Sequence, residues 1–555
     1  MASPLLFATL PDINPVLQSY LDFLVSQRQA QWELIKQYRR YTNGEQAATL
    51  NDSQIALLNA DPDFVLNVCP SVLGAKCDRL VITGFTVTSP DEQDQPKEEM
   101  SLSPELEEQV QNWWDMSRMD SESSNLHYAA SRDGDAFLIV DYCEDEYPRL
   151  TLNMAYDGES GVEIAYDEGD YTRPLYATKR WTVSTPADMT KNRVRRLNVY
   201  YDNRVEKYIS DGSGSFSEAG WRPYEGDGDS VEQVTIENYD GTIITYNAAV
   251  AWWTDTQTAE GEPLGLPVVH FANASNGMAY GRSDIADVIP GLQDAVNLTG
   301  VSLLAAAQLA GFPVNYIIGN FDGAGQFATY PGAILTVPDK DGNAGQFPAA
   351  NLNQLADVIT AYIRHIATIT HTPMSYFNIT GQVSAEGTLQ AAEAPLLAKA
   401  KRAQASFGNK YEDAIRLMLK LEMVYGSDVS LTLEQIDELT IACKWEAPQT
   451  RNEKETAETV LLHIQAGIPE EMAWTKLGYS APEINEMKRM KRKAQMQQNI
   501  DGLRQQQSNA TDQLLQSQDE MGKLNERQPN SRVNSIQPGG NNARNSSKQS
   551  NAINE

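Results

Sequence analysis

Residues 283–319 read SDIADVIPGLQDAVNLTGVSLLAAAQLAGFPVNYIIG, and residues 351–372 read NLNQLADVITAYIRHIATITHT. Apolar residues recur at steps of three and four in both stretches, which predicts two helices. We expect the first helix to be kinked at Pro290. Between the helices, residues 312–319 and 333–337 have the composition of short strands and are joined through glycine-rich turns. The sequence therefore predicts a small β module bracketed by a helical hairpin.

The chain before this hairpin mixes helices and strands. Residues 15–41 carry apolar side chains at helical spacing, and further helices are expected near residues 72–80 and 104–118. From residue 136 to residue 269 the pattern changes to short strand-like runs that are separated by turn clusters. This part of the chain is therefore predicted to be an antiparallel α+β region.

The chain after the hairpin is predicted to be mostly helical. Residues 386–425 have the pattern of one long helix with a kink at Pro395. Capping-box patterns that begin at Thr450 and Ser480 predict further helices. Beyond residue 496 the chain is dominated by glutamine, asparagine and serine, which cannot bury enough apolar surface to fold alone. We expect this tail to be disordered.

Composition limits the classes of function. The 555 residues include 44 lysines and arginines against 75 aspartates and glutamates, so the formal net charge is −31. The average field of such a chain repels phosphate, and bulk attraction to DNA or an anionic membrane is not expected. Four cysteines without a CxxC pair argue against a disulfide framework and a structural zinc site. With no apolar run of membrane-spanning length and no basic start for a signal peptide, the sequence predicts a soluble protein.

Enzyme signatures are largely missing. The sequence has no GxxxxGK[ST] phosphate loop, no HExxH, no GxSxG and no GxGxxG motif after a strand. A cluster of carboxylates over residues 133–146 is the one candidate for acid–base or metal-assisted hydrolysis. In a chain so rich in acids, we interpret it as a solvated acidic face. No catalytic residue, metal site or cofactor is predicted.

Basic and histidine side chains have two interpretations. Lys399, Lys401 and Arg402 form a basic patch on the predicted long helix, where a phosphate backbone could contact several of them. The simpler interpretation is a soluble helix surface. His127 and His270 stand alone in the sequence and are expected to be structural.

Several short passages carry a resemblance to a known family. They are GLPVVHFAN at 265–273, YGRSDIA at 280–286, LQDAVN at 292–297, THTP at 370–373 and SAEGTL at 384–389. In this order the chain resembles the portal, or head-to-tail connector, proteins of tailed double-stranded DNA bacteriophages over about residues 14–495. The specificity comes from many short matches in one order, because none of them is a catalytic signature.

The resemblance implies an α+β, portal-type fold with named parts. These are an α/β wing (1–282), a first stem helix (283–310), a small α/β clip (311–350), a second stem helix (351–372), a tunnel loop (373–387), a long kinked tunnel helix with a return to the wing (388–449), a helical crown (450–495) and a polar, disordered tail (496–555). In the family, twelve copies assemble as a ring. The long polar tail departs from the family pattern and leaves the extent of the crown open.

The function that the resemblance implies is a channel at one vertex of the capsid, through which DNA is packaged and later ejected. The implied partners are further copies in a dodecameric ring, the terminase large subunit, a head–tail adaptor, the major capsid and scaffolding proteins, and double-stranded DNA that passes without sequence-specific contacts. No enzyme activity, cofactor or membrane is implied. The implied location is the virion, after synthesis in the host bacterial cytoplasm.

Two sets of residues are predicted to act in this channel. The DNA-facing set is Gln382, Ser384, Glu386, Lys399, Lys401 and Arg402. The partner-docking set, at the tip of the clip, is Asp339, Lys340 and Asp341. An acidic wall would let DNA slide without sticking, and a few basic residues would steer it weakly.

Two alternatives remain open from the sequence. The first is a ring or scaffold in the virion that conducts no DNA, in which charge reversal at the tunnel positions would leave packaging intact. The second is an acidic hydrolase, a closed monomer or dimer in which replacing Asp133 and Asp135 with asparagine would abolish activity.

Overall fold

In a computed structural model of the protein, residues 1–450 and residues 451–555 form two compact units. The described residues are 15–46, 65–88, 104–143, 146–183, 194–210, 220–311, 315–318, 343–346, 351–377 and 386–449, with gaps of up to three residues inside 220–311 and one at 427, and scattered helical positions between 458 and 496. The first unit mixes helices with antiparallel sheets, so the predicted α+β class is confirmed for it. In the second unit, the longest described run is helical and covers residues 487–493.

In the first unit, most of the strands follow one another in the middle of the chain, and helices precede and follow them. The helices are α1 (Pro15–Asn43), α2 (Cys69–Cys77), α3 (Pro104–Met116), α4 (Met119–Asp133), α5 (Val288–Gly311), α6 (Leu352–Thr370), α7 (Glu386–Tyr425) and α8 (Leu433–Glu438). The strands are β1 (Ile82–Thr88), β2 (Asp135–Tyr142), β3 (Pro148–Met154), β4 (Gly161–Tyr166), β5 (Pro174–Val183), β6 (Val194–Tyr200), β7 (Arg204–Ser210), β8 (Arg222–Pro223), β9 (Ser230–Glu237), β10 (Ile243–Trp252), β11 (Val268–Ala272), β12 (Asn315–Ile318), β13 (Asn343–Gln346) and β14 (Thr440–Trp445).

Four sheets result from these strands. One has the order β11-β2-β3, and a larger one has the order β4-β5-β6-β7-β10-β9 with β8 paired to β7. The other two are the pairs β1-β14 and β12-β13. Strand β14 pairs with β1 and places Cys443 opposite Phe85. This pairing ties the end of the first unit to its beginning.

Helix α1 buries the apolar stripe that its sequence predicts. Leu17, Leu21, Leu24 and Ile35 are all buried, so the helix predicted over residues 15–41 is confirmed. Arg28 occupies the same stripe and is only 4% exposed. A buried guanidinium needs a partner, because an isolated charge is costly to remove from water.

Helix α7 packs on the three-stranded sheet. The ring of Tyr411 lies 4.8 Å from that of Phe271 on β11, and Phe407 is buried beside them. The Tyr411 hydroxyl lies 3.0 Å from Nε2 of His127, which is wholly buried. Burial lowers the pKa of His127 to about 3, so this ring is neutral and structural, as predicted. Pro395 lies inside the helix, where the kink is predicted.

Helices α5 and α6 form the predicted hairpin around a core of Val296, Ile359 and Ile363. The first helix begins at Val288, so Pro290 lies in its first turn. Because the first backbone N–H groups of a helix have no partner within it, this proline removes no hydrogen bond, and no kink is required there.

The module between the two helices contains a two-stranded pairing. In it, Asn315 lies opposite Gln346, and Ile318 lies opposite Asn343. The strand predicted at residues 333–337 lies outside the described residues. Strand β13 was not predicted, because its sequence NAGQ contains no residue with a preference for strands.

Candidate functional site at the end of the hairpin

A cavity of about 570 Å³ lies among the end of α6, the loop that follows β11, and α7. Its charged lining residues are Lys76, Arg282, Asp284, Lys399 and Arg402. Four cations thus face a single carboxylate. The cavity is therefore electropositive within a chain whose net charge is −31.

Asp284 holds two ammonium groups at the wall of this cavity. Its Oδ2 lies 2.5 Å from Nζ of Lys76, and its Oδ1 lies 3.1 Å from Nζ of Lys399. Burial opposes ionisation of Asp284, but the two lysines outweigh it, and the pKa of Asp284 falls below its ordinary value. Burial lowers the pKa of Lys399, the charge of Asp284 opposes this, and the charge of Lys76 adds to it. The two lysines thus share one counter-ion.

Asn273, in the loop after β11, positions these charges. Its Oδ1 accepts a hydrogen bond from Nζ of Lys76 at 2.8 Å, and its Nδ2 donates to the carbonyl of Arg282 at 2.7 Å. Its backbone N–H donates to the carbonyl of Gly134 at 2.8 Å. A side chain at Gly281 would overlap that same carbonyl, so glycine is required where the two segments cross. The short passages around residues 273 and 281 therefore hold together two segments of the cavity wall.

A second group of buried charges joins α1 to the sheets. Asp135 is wholly buried, and its carboxylate lies 2.7 Å from Arg28 and 2.9 Å from Nε2 of His270. It also accepts a hydrogen bond from the backbone N–H of Gly281 at 2.7 Å. Burial opposes ionisation, but Arg28 and His270 outweigh it and lower the pKa of Asp135 to about 2. His270 is thus a structural partner of this carboxylate, in agreement with the prediction.

Asp133 and Glu163 also form ion pairs with arginines. Asp133 lies 2.8 Å from Arg39 and 2.7 Å from Arg132. Glu163 forms an ion pair with Arg180, and both side chains are 1% exposed. Arginine suits such sites because its planar guanidinium bonds a carboxylate through more than one N–H group.

The interpretation of residues 133–146 as a solvated acidic face is wrong for Asp133 and Asp135, which have no exposed surface. Cations from α1 and from α4 neutralise them inside the fold, and the spacing of the acids in the sequence does not reveal this. At the other end of the cluster, Asp141 and Glu146 are exposed. A hydrolase would need carboxylates that reach its substrate, so this arrangement does not support the hydrolase alternative.

We expect Asp135 to make stability depend on pH in acid. Its pKa in the folded chain is about 2, against an ordinary value of 3.8. Its contribution is therefore present above about pH 4 and is lost as the pH falls through about 2. Urea titrations give the free energy of unfolding of the wild-type chain and of the Asp135→Asn variant. The difference between the two should fall by about 2 kcal/mol between about pH 5 and about pH 2. A difference that stays constant over this interval would contradict the role of the Asp135 charge.

The structure separates the predicted DNA-facing residues. Lys399 and Arg402 line the cavity, whereas Lys401 is exposed and lies outside its lining. Glu386 is the first residue of α7. The predicted positions outside the described residues are Gln382, Ser384, Asp339, Lys340 and Asp341.

Sequence reasoning missed three members of the cavity wall. Arg282 and Asp284 belong to the passage at residues 280–286, which was used for the resemblance but not assigned a chemical role. Lys76 is 1% exposed within the otherwise neutral helix α2. A lone lysine among apolar neighbours was the available signal for it.

In the part of the chain that the structure describes, no three His, Cys, Asp or Glu side chains lie close enough together to hold a metal ion. His365 and His371, which are six positions apart, are both exposed, and His371 ends α6 in a left-handed conformation. None of the described helices has the length and apolar character needed to cross a membrane.

Comparison with known proteins gives consistent matches. A family model described as "Phage portal protein, SPP1 Gp6-like" matches residues 21–499. The portal protein of Mycobacterium phage D29 is 30% identical over 287 residues, which cover 48% of this chain and 56% of that protein. The portal protein of Mycobacterium phage L5 is 25% identical over 401 residues, which cover 69% of this chain and 72% of that protein. The chain thus spans little more than half of the first relative.

Proposed function

Because the chain belongs to the SPP1 Gp6-like family of phage portal proteins, we propose that its copies form a ring-shaped channel at one vertex of the capsid. DNA passes through this ring when the terminase packages it and when it is ejected, and head–tail adaptors dock on the ring. Phage portal proteins are structural components of the virion, and we propose no enzyme activity for this chain.

The order of elements within the matched residues carries this proposal. The hairpin of α5 and α6 brackets the strands β12 and β13, and the 40-residue helix α7 follows. At 1.5 Å per residue, α7 is about 60 Å long, which is enough to cross a large domain. We propose that the hairpin is the stem, that residues 311–350 are the clip on which terminase and adaptor dock, and that α7 is the tunnel helix.

The remaining parts keep their expected places in this proposal. Residues 1–282 are the wing, residues 373–387 the tunnel loop and residues 450–495 the crown. The major capsid and scaffolding proteins surround the ring, which is assembled in the host cytoplasm. The predicted DNA-facing and partner-docking residues also stay proposals, with the qualification that the Lys399 ammonium pairs with Asp284.

The surface of the hairpin supports assembly into a ring. Helix α5 contains a single charged residue, Asp294, in 24 residues, and its carboxylate is bonded to the hydroxyl of Tyr41. On the two helices, Leu298 and Val358 are 45% and 40% exposed. Apolar side chains left exposed on neighbouring helices favour burial against another copy. Copies that meet head to tail form a ring when the rotation between neighbouring copies closes after a full turn.

Electron microscopy of the purified full-length chain tests this assembly. We expect rings with about twelve-fold symmetry and a hole wide enough for duplex DNA. The variant Leu298→Asp with Val358→Asp should disperse them, because it places two charges from each copy at an apolar contact. The matched variant Leu298→Ala with Val358→Ala removes the same side chains without adding charge and should retain most rings. Rings without a hole would favour the non-conducting scaffold, and compact single copies under all conditions would contradict the proposal.

A further inference from the structure

The electropositive cavity has more positive charge than its own wall neutralises. Lys76 and Lys399 share the one carboxylate of Asp284, at 2.5 Å and 3.1 Å. Both lysines are largely buried, so this part of the wall keeps a net positive charge, which favours an anion in the cavity. Arg402 adds an exposed guanidinium group to the same lining.

Lys399 and Arg402 are suitably placed to hold such an anion. They are three positions apart on α7, so they project from the same side of the helix. Lys399 is anchored by Asp284 and by the carbonyl of Thr370 at 3.5 Å, which restricts where its ammonium group lies. Arg402 is exposed and makes no ion pair with any residue that the structure describes.

Left-handed backbone is concentrated at the same cavity. Five described residues other than glycine have positive φ, and three of them line it: Ala274 (47°), Asn276 (51°) and His371 (58°). Asparagine adopts this conformation readily, and His371 adopts it as the residue that ends α6. It is unfavourable for Ala274 and persists there only because the surrounding structure holds it. The loop after β11 is therefore held in shape before any ligand arrives.

We propose that this cavity binds a phosphate group, contacted by Lys399 and Arg402. A phosphate carries up to two negative charges near neutral pH, which matches the excess of cations better than a single carboxylate does. The volume of about 570 Å³ also admits the rest of a phosphate-bearing molecule. The phosphate belongs either to a small molecule or to the DNA backbone. The site does not depend on ring assembly.

Thermal unfolding of the full-length chain in sodium phosphate, compared with sodium chloride at equal ionic strength, tests the site. We expect phosphate to raise the Tm, because a ligand that binds only the folded state stabilises it. The Arg402→Gln variant should bind phosphate about ten-fold more weakly, since it loses a charge-assisted contact. The Arg364→Gln variant is the matched control: it makes the same substitution at an exposed arginine of α6 that does not line the cavity, and it should bind as the wild type does.

Two results would overturn the proposal. One is an equal Tm rise in chloride and in phosphate. The other is an unchanged phosphate affinity in Arg402→Gln, provided that circular dichroism shows the variant to be folded.

Competition identifies the source of the phosphate. Displacement of bound phosphate by a short DNA duplex assigns the site to the DNA backbone. Displacement by a nucleoside triphosphate but not by the duplex assigns it to a small molecule.

Discussion

Replacing Arg28 with methionine is expected to lower the free energy of unfolding by about 3–5 kcal/mol. Methionine fills a similar volume but leaves two buried carboxylates short of a cation, because the Arg28 guanidinium lies 2.7 Å from Asp135 and 3.6 Å from Glu163. The guanidinium also lies 3.9 Å from the centre of the Tyr280 ring, and that contact is lost as well. A urea titration followed by tryptophan fluorescence measures the difference.

Arg40 offers a matched control on the same helix. It is exposed, so the Arg40→Met variant should change the free energy of unfolding by no more than about 0.5 kcal/mol. Equal losses in the two variants would mean that net charge, and not the buried contacts of Arg28, determines the effect.

The second large effect is expected from Asp284→Asn, which should also cost about 3–5 kcal/mol. Asparagine keeps the shape of the side chain but removes the only carboxylate that lies between Lys76 and Lys399 among the described residues. Two ammonium groups would then lie together with no counter-ion. The same urea titration measures this loss, and Asp357→Asn, at an exposed position on α6, serves as the control with little expected change.

A double-mutant cycle separates charge pairing from local packing. The Lys76→Met variant alone leaves Asp284 with one lysine, whereas Lys76→Met combined with Asp284→Asn removes the buried pair altogether. If pairing is the cause, the double variant should lose at least about 1 kcal/mol less than the sum of the two single variants. Strict additivity would show instead that the three charges act independently of one another.

The buried ion pairs have a consequence for the proposed assembly. Because Asp133, Asp135 and Glu163 are paired with arginines inside each copy, they contribute little to the net charge of −31. Copies in a ring repel each other through that charge. Apolar contacts at the hairpin would have to offset this repulsion, which is why charge added there is expected to disperse the ring.

Much of the fold could be predicted from local patterns. The stripe of Leu17, Leu21 and Leu24 indicated α1, and the apolar spacing around Ile359 and Ile363 indicated α6. Such patterns are visible because one face of each helix is buried, and the period of the apolar residues follows the period of the helix. The pairing of β13 could not be predicted in this way, since its residues show no preference for strands. Its partner β12 is also distant in the sequence, so no local pattern connects the two strands.

The candidate site was only partly visible. Lys399 and Arg402 were selected for their charge, but Asp284, which pairs with Lys399, lies in a different segment of the chain. Asp133 and Asp135 were read as solvated because their cations come from α1 and α4 and were not apparent from spacing. The type of a residue gives its charge, whereas the packing of elements that are distant in the sequence decides which residue it pairs with.

By itself, the sequence determined the α+β fold class of this protein, the position of its long helices, its acidity and its resemblance to portal proteins. Each of these depends on residue type and on spacing along the chain. Only the tertiary structure decided which acids are buried, which lysines share Asp284, and that the end of α6, the loop after β11 and α7 enclose one cavity. The physical reason is that burial and ion pairing depend on distances in space, which the folded chain sets and the order of residues does not display.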